Sequence, residues 1–123
     1  MPIPPLTTDA SALLPGAATL VSPSGSITDT TPTYTWNKVS AATWYYIYVS
    51  GPSNYVFAQW YHTDTVCPAS TCSIAGATPG LASGPYRWWV QTWNNAGYGP
   101  WSTGVNFSVP QLIPPNHKYR LGK

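Results

Sequence analysis

Two runs in this chain leave little room for anything but strand. Trp44-Tyr45-Tyr46-Ile47-Tyr48-Val49-Ser50 and Tyr86-Arg87-Trp88-Trp89-Val90-Gln91-Thr92-Trp93 are built mainly from aromatic and β-branched residues. Such residues fit a pleated surface and lose side-chain freedom in a helix. The surroundings agree. There is no glutamate, and 14 of the 123 residues are proline, with Gly, Ser and Thr filling the gaps. Further short strands are expected over residues 19–22, 33–37, 55–62, 73–75 and 105–109. Turn signals fall at Pro23-Ser24-Gly25-Ser26, Gly51-Pro52-Ser53-Asn54 and Asn94-Asn95-Ala96-Gly97, and residues 76–84 read as a loop. Seven short strands at this spacing predict an all-β fold, a seven-stranded antiparallel β-sandwich. No internal repeat is visible.

The ends read differently. Residues 1–18 form a Pro-rich N-terminal linker or tail, with at most one helical turn near residues 10–14, and residues 111–123 form a Pro-rich basic tail. The sandwich is expected over 19–110. No apolar run is long enough for a transmembrane helix. Met1 leads into Pro-Ile-Pro-Pro with no charged region and apolar core behind it. The expectation is a chain whose leader has been removed, or a piece of a longer protein.

Charge excludes several partners. Only 7% of residues are charged, against roughly 25% in an ordinary globular protein. Three of the five bases (Lys118, Arg120, Lys123) lie in the last six residues, and over residues 19–110 Lys38 and Arg87 balance Asp29 and Asp64. No basic stripe exists for a nucleic acid backbone, so nucleic acid is not expected as a partner. Cys67 and Cys72 enclose four residues. That spacing is wrong for a thioredoxin-like motif, and two thiols alone do not build a zinc site. A small disulfide loop is the expectation, with free thiols as the alternative, and a disulfide points to a secreted or extracellular location.

The order of residues within the strands resembles the fibronectin type III family. The carriers are Leu81-x-x-Gly84-x-Tyr86-x-Trp88-x-Val90-x-Thr92-x-Asn94-x-x-Gly97-x-Gly99-x-Trp101-Ser102, preceded by Pro32-x-Tyr34-x-Trp36-Asn37 and Ala41-Ala42-x-x-Tyr45-x-Ile47-x-Val49. The resemblance covers about residues 19–110 and is closest to Trp-rich versions found in secreted bacterial proteins. It implies a core role for Trp36 and a corner in which Leu81 and Tyr86 tie a loop to the core. It does not account for the cysteine loop or for seven Trp and nine Tyr.

Strand alternation sorts those rings. By the resemblance, Tyr45, Ile47 and Val49 face the core, as do Tyr86, Trp88, Val90 and Thr92. Trp44, Tyr46, Tyr48, Arg87, Trp89, Gln91 and Trp93 are then left on one outer face. Phe57, or Trp60 with Tyr61, would join them, according to a register that the sequence leaves open. A one-residue slip exchanges the two sets but still leaves an apolar outer face.

A monomer seldom exposes such a patch. Neutral carbohydrate is one cover: sugar rings stack on Trp and Tyr while Arg87, Gln91, Asn94, Asn95 and Gln59 reach the hydroxyls. The partner would be a polysaccharide or oligosaccharide, and the chain an accessory module beside a linked catalytic domain. Protein is the other cover: another domain, the tails, or copies of the chain itself in an oligomer or filament. Catalysis is not expected. His62-Thr63-Asp64 and Ser70 are the nearest approach to a catalytic set, and no Gly-x-Ser-x-Gly elbow or convergent carboxylate pair is present. No cofactor is expected, nor any metal, since neither a zinc spacing nor an Asp-rich calcium loop occurs. The basic tail, with His117, reads as solvated. Asn106-Phe107-Ser108 matches a glycosylation acceptor but falls inside a strand and is read as chance.

Overall fold

The computed structural model describes residues 13–111. Most of both tails, including Asp9 and His117, lies outside the described residues, as does most of the helical turn expected near residues 10–14. The chain forms β1 (Leu20–Ser22), β2 (Gly25–Ser26), β3 (Tyr34–Asn37), β4 (Trp44–Ser50), β5 (Val56–His62), a one-turn α1 (Thr63–Val66), β6 (Thr71–Ile74), β7 (Gly84–Asn94), β8 (Gly97–Trp101) and β9 (Val105–Val109).

These strands make a sandwich. One sheet has the order β1-β3-β6; the other has β2-β9-β7-β4-β5, with β8 also on β7. Two strands are additional to the expected seven. β2 lies in the stretch expected to be a turn: the chain crosses between sheets at Pro23, which has no N–H to continue a ladder, and β2 pairs with β9 in parallel, the exception to an otherwise antiparallel set. β8 follows the Asn94–Gly97 turn and ends before Ser102, whose hydroxyl accepts from Val90 N–H at 3.0 Å while its N–H donates to Val90 C=O at 2.8 Å. β8 and β9 therefore share one side of β7, one following the other.

The core sits where alternation puts it. Tyr45, Ile47 and Val49 of β4 and Trp88, Val90 and Thr92 of β7 are fully buried. Trp36, from the opposite sheet, meets Tyr45 edge-on at 5.4 Å, and Tyr34 meets Trp88 at 5.0 Å. Edge-to-face contact lets the positive rim of one ring approach the negative face of another. The Trp88 indole N–H, which burial would otherwise strand, donates to Pro23 C=O at 3.0 Å. The expected corner is present: Leu81 is buried, and the Tyr86 hydroxyl donates to Ala82 C=O at 2.7 Å. The Tyr86 ring also lies against Gly51, so close that a Cβ at Gly51 would overlap it. This is a physical reason for glycine at the start of the β4–β5 turn.

Residues 13–18 pack ahead of β1. Pro15 and Ala18 are buried, and the side chains of Thr92 and Asn94 donate to the carbonyls of Gly16 and Leu13, each at 2.8 Å. Cys67 and Cys72 form a disulfide across the link from α1 to β6. Cys72 stands opposite Trp36 in the smaller sheet, fully buried.

Candidate functional site

The register of the larger sheet decides which side chains share its outer face. Trp44, Tyr46 and Tyr48 of β4 lie opposite Trp93, Gln91 and Trp89 of β7. On the other flank they lie opposite His62, Trp60 and Ala58 of β5. Directly opposed residues point the same way, so Trp60 joins the face. Phe57 and Tyr61 lie opposite Val49 and Tyr45 and pack against the core, which settles the register left open by the sequence. Beyond β7, Tyr98 and Trp101 of β8 lie opposite Trp93 and Gln91.

The result is a field of eight large aromatic rings: Trp44, Trp60, Trp89, Trp93, Trp101, Tyr46, Tyr48 and Tyr98. Five of the seven tryptophans are here; only Trp36 and Trp88 serve the core. Tyr98 is 59% exposed, Trp101 44% and Trp44 37%, and the others are half-buried by one another.

The rings do not lie flat. Trp60 and Tyr98 stand three strands apart, about 14 Å of sheet, yet their centroids are 6.1 Å apart. Tyr46 lies 4.7 Å from Trp60 and 5.9 Å from Trp101. These four rings form a ridge across the strands, with a trough on each side. The first trough, about 510 Å³, is walled by Tyr46, Tyr48, Trp89, Trp101 and Ser102. The second, about 430 Å³, is walled by Trp44, Trp60, Trp93 and Tyr98. Both are open and largely apolar.

Polar groups stand at the margins. The Arg87 guanidinium lies over the Trp89 ring, 5.5 Å from its centroid, a cation–π contact that also holds the ring in place. Gly104 lies beneath this pair: a Cβ there would overlap both the Arg87 Nε and the Trp89 indole nitrogen. At the opposite end His62 packs edge-on against Trp44 at 4.9 Å. Its Nδ1 accepts from Asp64 N–H at 3.0 Å and caps α1. His62 and Asp64 thus have a local structural role at the start of α1.

Two expected hydrogen-bonding side chains, Asn94 and Gln59, are placed differently, and a third, Gln91, is on the expected face but engaged. Asn94 is buried, donating to Leu13 and Ala41 carbonyls and accepting from Ala96 N–H. It clamps the β7–β8 turn and has no free capacity for a ligand. Gln59 lies opposite inward-facing Ile47, so it is on the wrong side of the sheet. Gln91 is on the outer face, but its amide donates to Gly99 C=O at 3.2 Å beneath the ridge. Asn95 is exposed in the turn. Trp60 was one of two alternatives for the face, whereas Tyr98 and Trp101 were not assigned to it from sequence. For Tyr98 and Trp101 the signal was the tight Asn94–Gly97 turn, after which antiparallel pairing returns side chains to the face of Trp93.

Among the described residues no three His, Cys, Asp or Glu side chains converge as a metal site would require. Tyr34 is the most perturbed phenol, pushed up to about 12 by burial and held by Thr78 at 2.9 Å. It belongs to the core, not the face. No helix among the described residues is long and apolar enough to cross a membrane.

No family model matches the sequence, and no curated protein is significantly similar to it. Its fold has relatives among solved structures. Chitinase ChiW from Paenibacillus sp. str. FPU-7, a cell-surface-expressed multi-modular enzyme, aligns with a TM-score of 0.56 at 16% identity over 76% of this chain. The chain spans 8% of that protein. A structure described as a myokine aligns with a TM-score of 0.50 at 14% identity, over 80% of this chain and 97% of the other. At these identities the likeness is one of fold, and that fold is an all-β sandwich of the fibronectin type III kind.

Proposed function

We propose that this chain is a non-catalytic accessory module of a secreted protein, and that it binds neutral carbohydrate on the outer aromatic face. The observation that carries the reading is the field of eight rings with one full-time charge, Arg87, at its margin. An outer sheet face facing only water would carry Thr, Lys and Glu. Rings tilted by their neighbours into open troughs present π-faces to a ligand of similar shape, and sugar rings offer flat C–H faces rimmed with hydroxyls. Trp44, Trp60, Trp89, Trp93 and Trp101 would supply stacking, with Tyr46, Tyr48 and Tyr98 adding phenol hydroxyls. Arg87, beside Trp89, would reach the polar rim; Gln91 would take part only by releasing Gly99.

The work of such a module is local concentration: it keeps a linked domain near an insoluble or dilute substrate. The multi-modular architecture of the ChiW chitinase, which contains a similar fold, is in keeping with a linked catalytic domain. The disulfide suits the extracellular setting where polysaccharides occur.

The test is titration of a panel of soluble neutral oligosaccharides, followed by tryptophan emission and calorimetry. Binding to one linkage class, weakened in Trp89→Ala and Trp93→Ala but unchanged in Phe57→Leu, is the expected outcome. A panel with no binder would refute the reading.

One observation favours a second reading, association between copies. Among the described residues β5 is a free edge of seven residues, Val56-Phe57-Ala58-Gln59-Trp60-Tyr61-His62, without proline, lysine or a bulge. Edges of this kind are usually guarded. Light scattering decides it: a stable oligomer indifferent to every sugar would make the face and edge a protein interface.

A further inference from the structure

The two troughs are too close together to serve two ligands. Along β4 and β7 the first trough is walled by Tyr46, Tyr48 and Trp89, and the second by the pair Trp44–Trp93. Their facing walls on β4, Tyr46 and Trp44, are one outward-facing step apart, two residues of rise, or roughly 7 Å. Two independent chains side by side at that spacing would collide, and each would leave its neighbour's aromatic wall half covered. Neighbouring units of one chain meet no such conflict.

Building on the carbohydrate reading above, we infer that the ligand is a single linear neutral glycan. It lies along the strand direction of β4 and β7 and rides over the Trp60–Tyr46–Trp101 ridge, with one sugar in each trough. Two features set this geometry. The ridge runs across the strands, so a chain laid across the sheet would meet one trough only. The described charge beside the first trough is Arg87, at the end remote from Trp93. A chain with a negative charge on every unit would find no counter-charge in the second trough, whose walls are Trp44, Trp60, Trp93 and Tyr98. The glycan is therefore a neutral polymer, and the shortest unit filling both troughs has at least two sugars.

The experiment uses size-defined ladders of one to six units: β-1,4-linked glucose, β-1,3-linked glucose, β-1,4-linked xylose, β-1,4-linked mannose and β-1,4-linked N-acetylglucosamine. Each is titrated calorimetrically into the full chain. One ladder should bind with one chain per domain. Affinity should rise about tenfold or more once the second trough is filled, as one further stacked ring implies, and then level off. Trp89→Ala and Trp93→Ala should each abolish that rise while leaving weak binding of the short members. Far-UV circular dichroism confirms that both variants are folded; if either is not, Trp89→Leu and Trp93→Leu replace them. Binding that is flat from the monosaccharide upward, or two chains per domain, overturns this inference and leaves the carbohydrate reading standing. Absence of binding by all the ladders overturns both.

Discussion

Trp88 and Trp89 are neighbours in the chain and lie on opposite sides of one sheet, so replacing each by alanine separates core from face in a single pair of proteins. Trp88 is fully buried, touches Tyr34 at 5.0 Å and donates to Pro23 C=O. Removing it loses about 3–5 kcal/mol for the cavity and about 1 kcal/mol for the orphaned carbonyl. The sum, about 4–6 kcal/mol, is comparable with the whole stability of a small domain, about 5–15 kcal/mol. Trp89 is half-buried and touches Tyr48 at 5.8 Å and Arg87 at 5.5 Å. Losing one aromatic pair and one cation–π contact costs about 1–2 kcal/mol. With a urea slope of about 1.5 kcal/mol/M, the midpoint falls by about 3–4 M for Trp88→Ala and by about 1 M for Trp89→Ala. Far-UV circular dichroism should follow the transition, because tryptophan emission changes with either mutation. Trp88→Phe, which keeps a ring and drops the indole N–H, gives an intermediate measurement if the alanine variant does not fold. Equal losses at the two positions would refute the alternation on which the whole face rests.

Other consequences follow from the same packing. Asn94→Ala removes three hydrogen bonds that hold the β7–β8 turn and residue 13 in place; a loss of about 2–4 kcal/mol in chemical denaturation is expected. Opening the Cys67–Cys72 loop by Cys67→Ser with Cys72→Ser should lower stability by about 2 kcal/mol on chain-entropy grounds, measurable as an equal effect of reductant on the wild type. The Tyr34 phenol stands at about 12 because burial disfavours its ionised form, and Tyr45, Tyr55, Tyr61 and Tyr86 are raised for the same reason. Folded values above the unfolded one mean that this stability is complete below about pH 10. It is lost as the pH rises through about 12; urea midpoints from pH 8 to 12 should fall across that window and less so in Tyr34→Phe. Gly104→Ala pushes a methyl group against Arg87 and Trp89. It should weaken glycan binding several-fold without replacing a ring, read by calorimetry against an unchanged circular dichroism spectrum.

Alternation within single strands was legible in the sequence. A period of two is a local property of extended backbone, so Trp44, Tyr46 and Tyr48 separate from Tyr45, Ile47 and Val49 without knowledge of any partner. Trp89 separates from Trp88 in the same way. The fold class was legible too, because turn residues and strand spacing are written locally, and the Leu81–Tyr86 corner was implied by the resemblance to the fibronectin type III family. The β5 register was not. Whether Phe57 or Trp60 faces outward depends on how many residues the turn from Gly51 to Tyr55 consumes, and that turn places Ser53 and Asn54 in the left-handed region. Asn94 reads as polar and available, but its burial comes from Leu13 and Ala41, 81 and 53 residues away in sequence.

The sequence by itself thus determined that this chain is a sandwich of short strands, almost without charge, with more large rings than a core of this size can take. Tertiary structure decided what those rings do together. The pairing of β8 with β7 and of β5 with β4 brings Tyr98, Trp101 and Trp60 onto the face of Trp44 and Trp89. The reach of those side chains across three strands turns a flat patch into a ridge between two troughs. The physical reason is range: side-chain alternation is fixed by adjacent peptide units, whereas a ridge exists only where hydrogen-bond register aligns residues far apart in the chain.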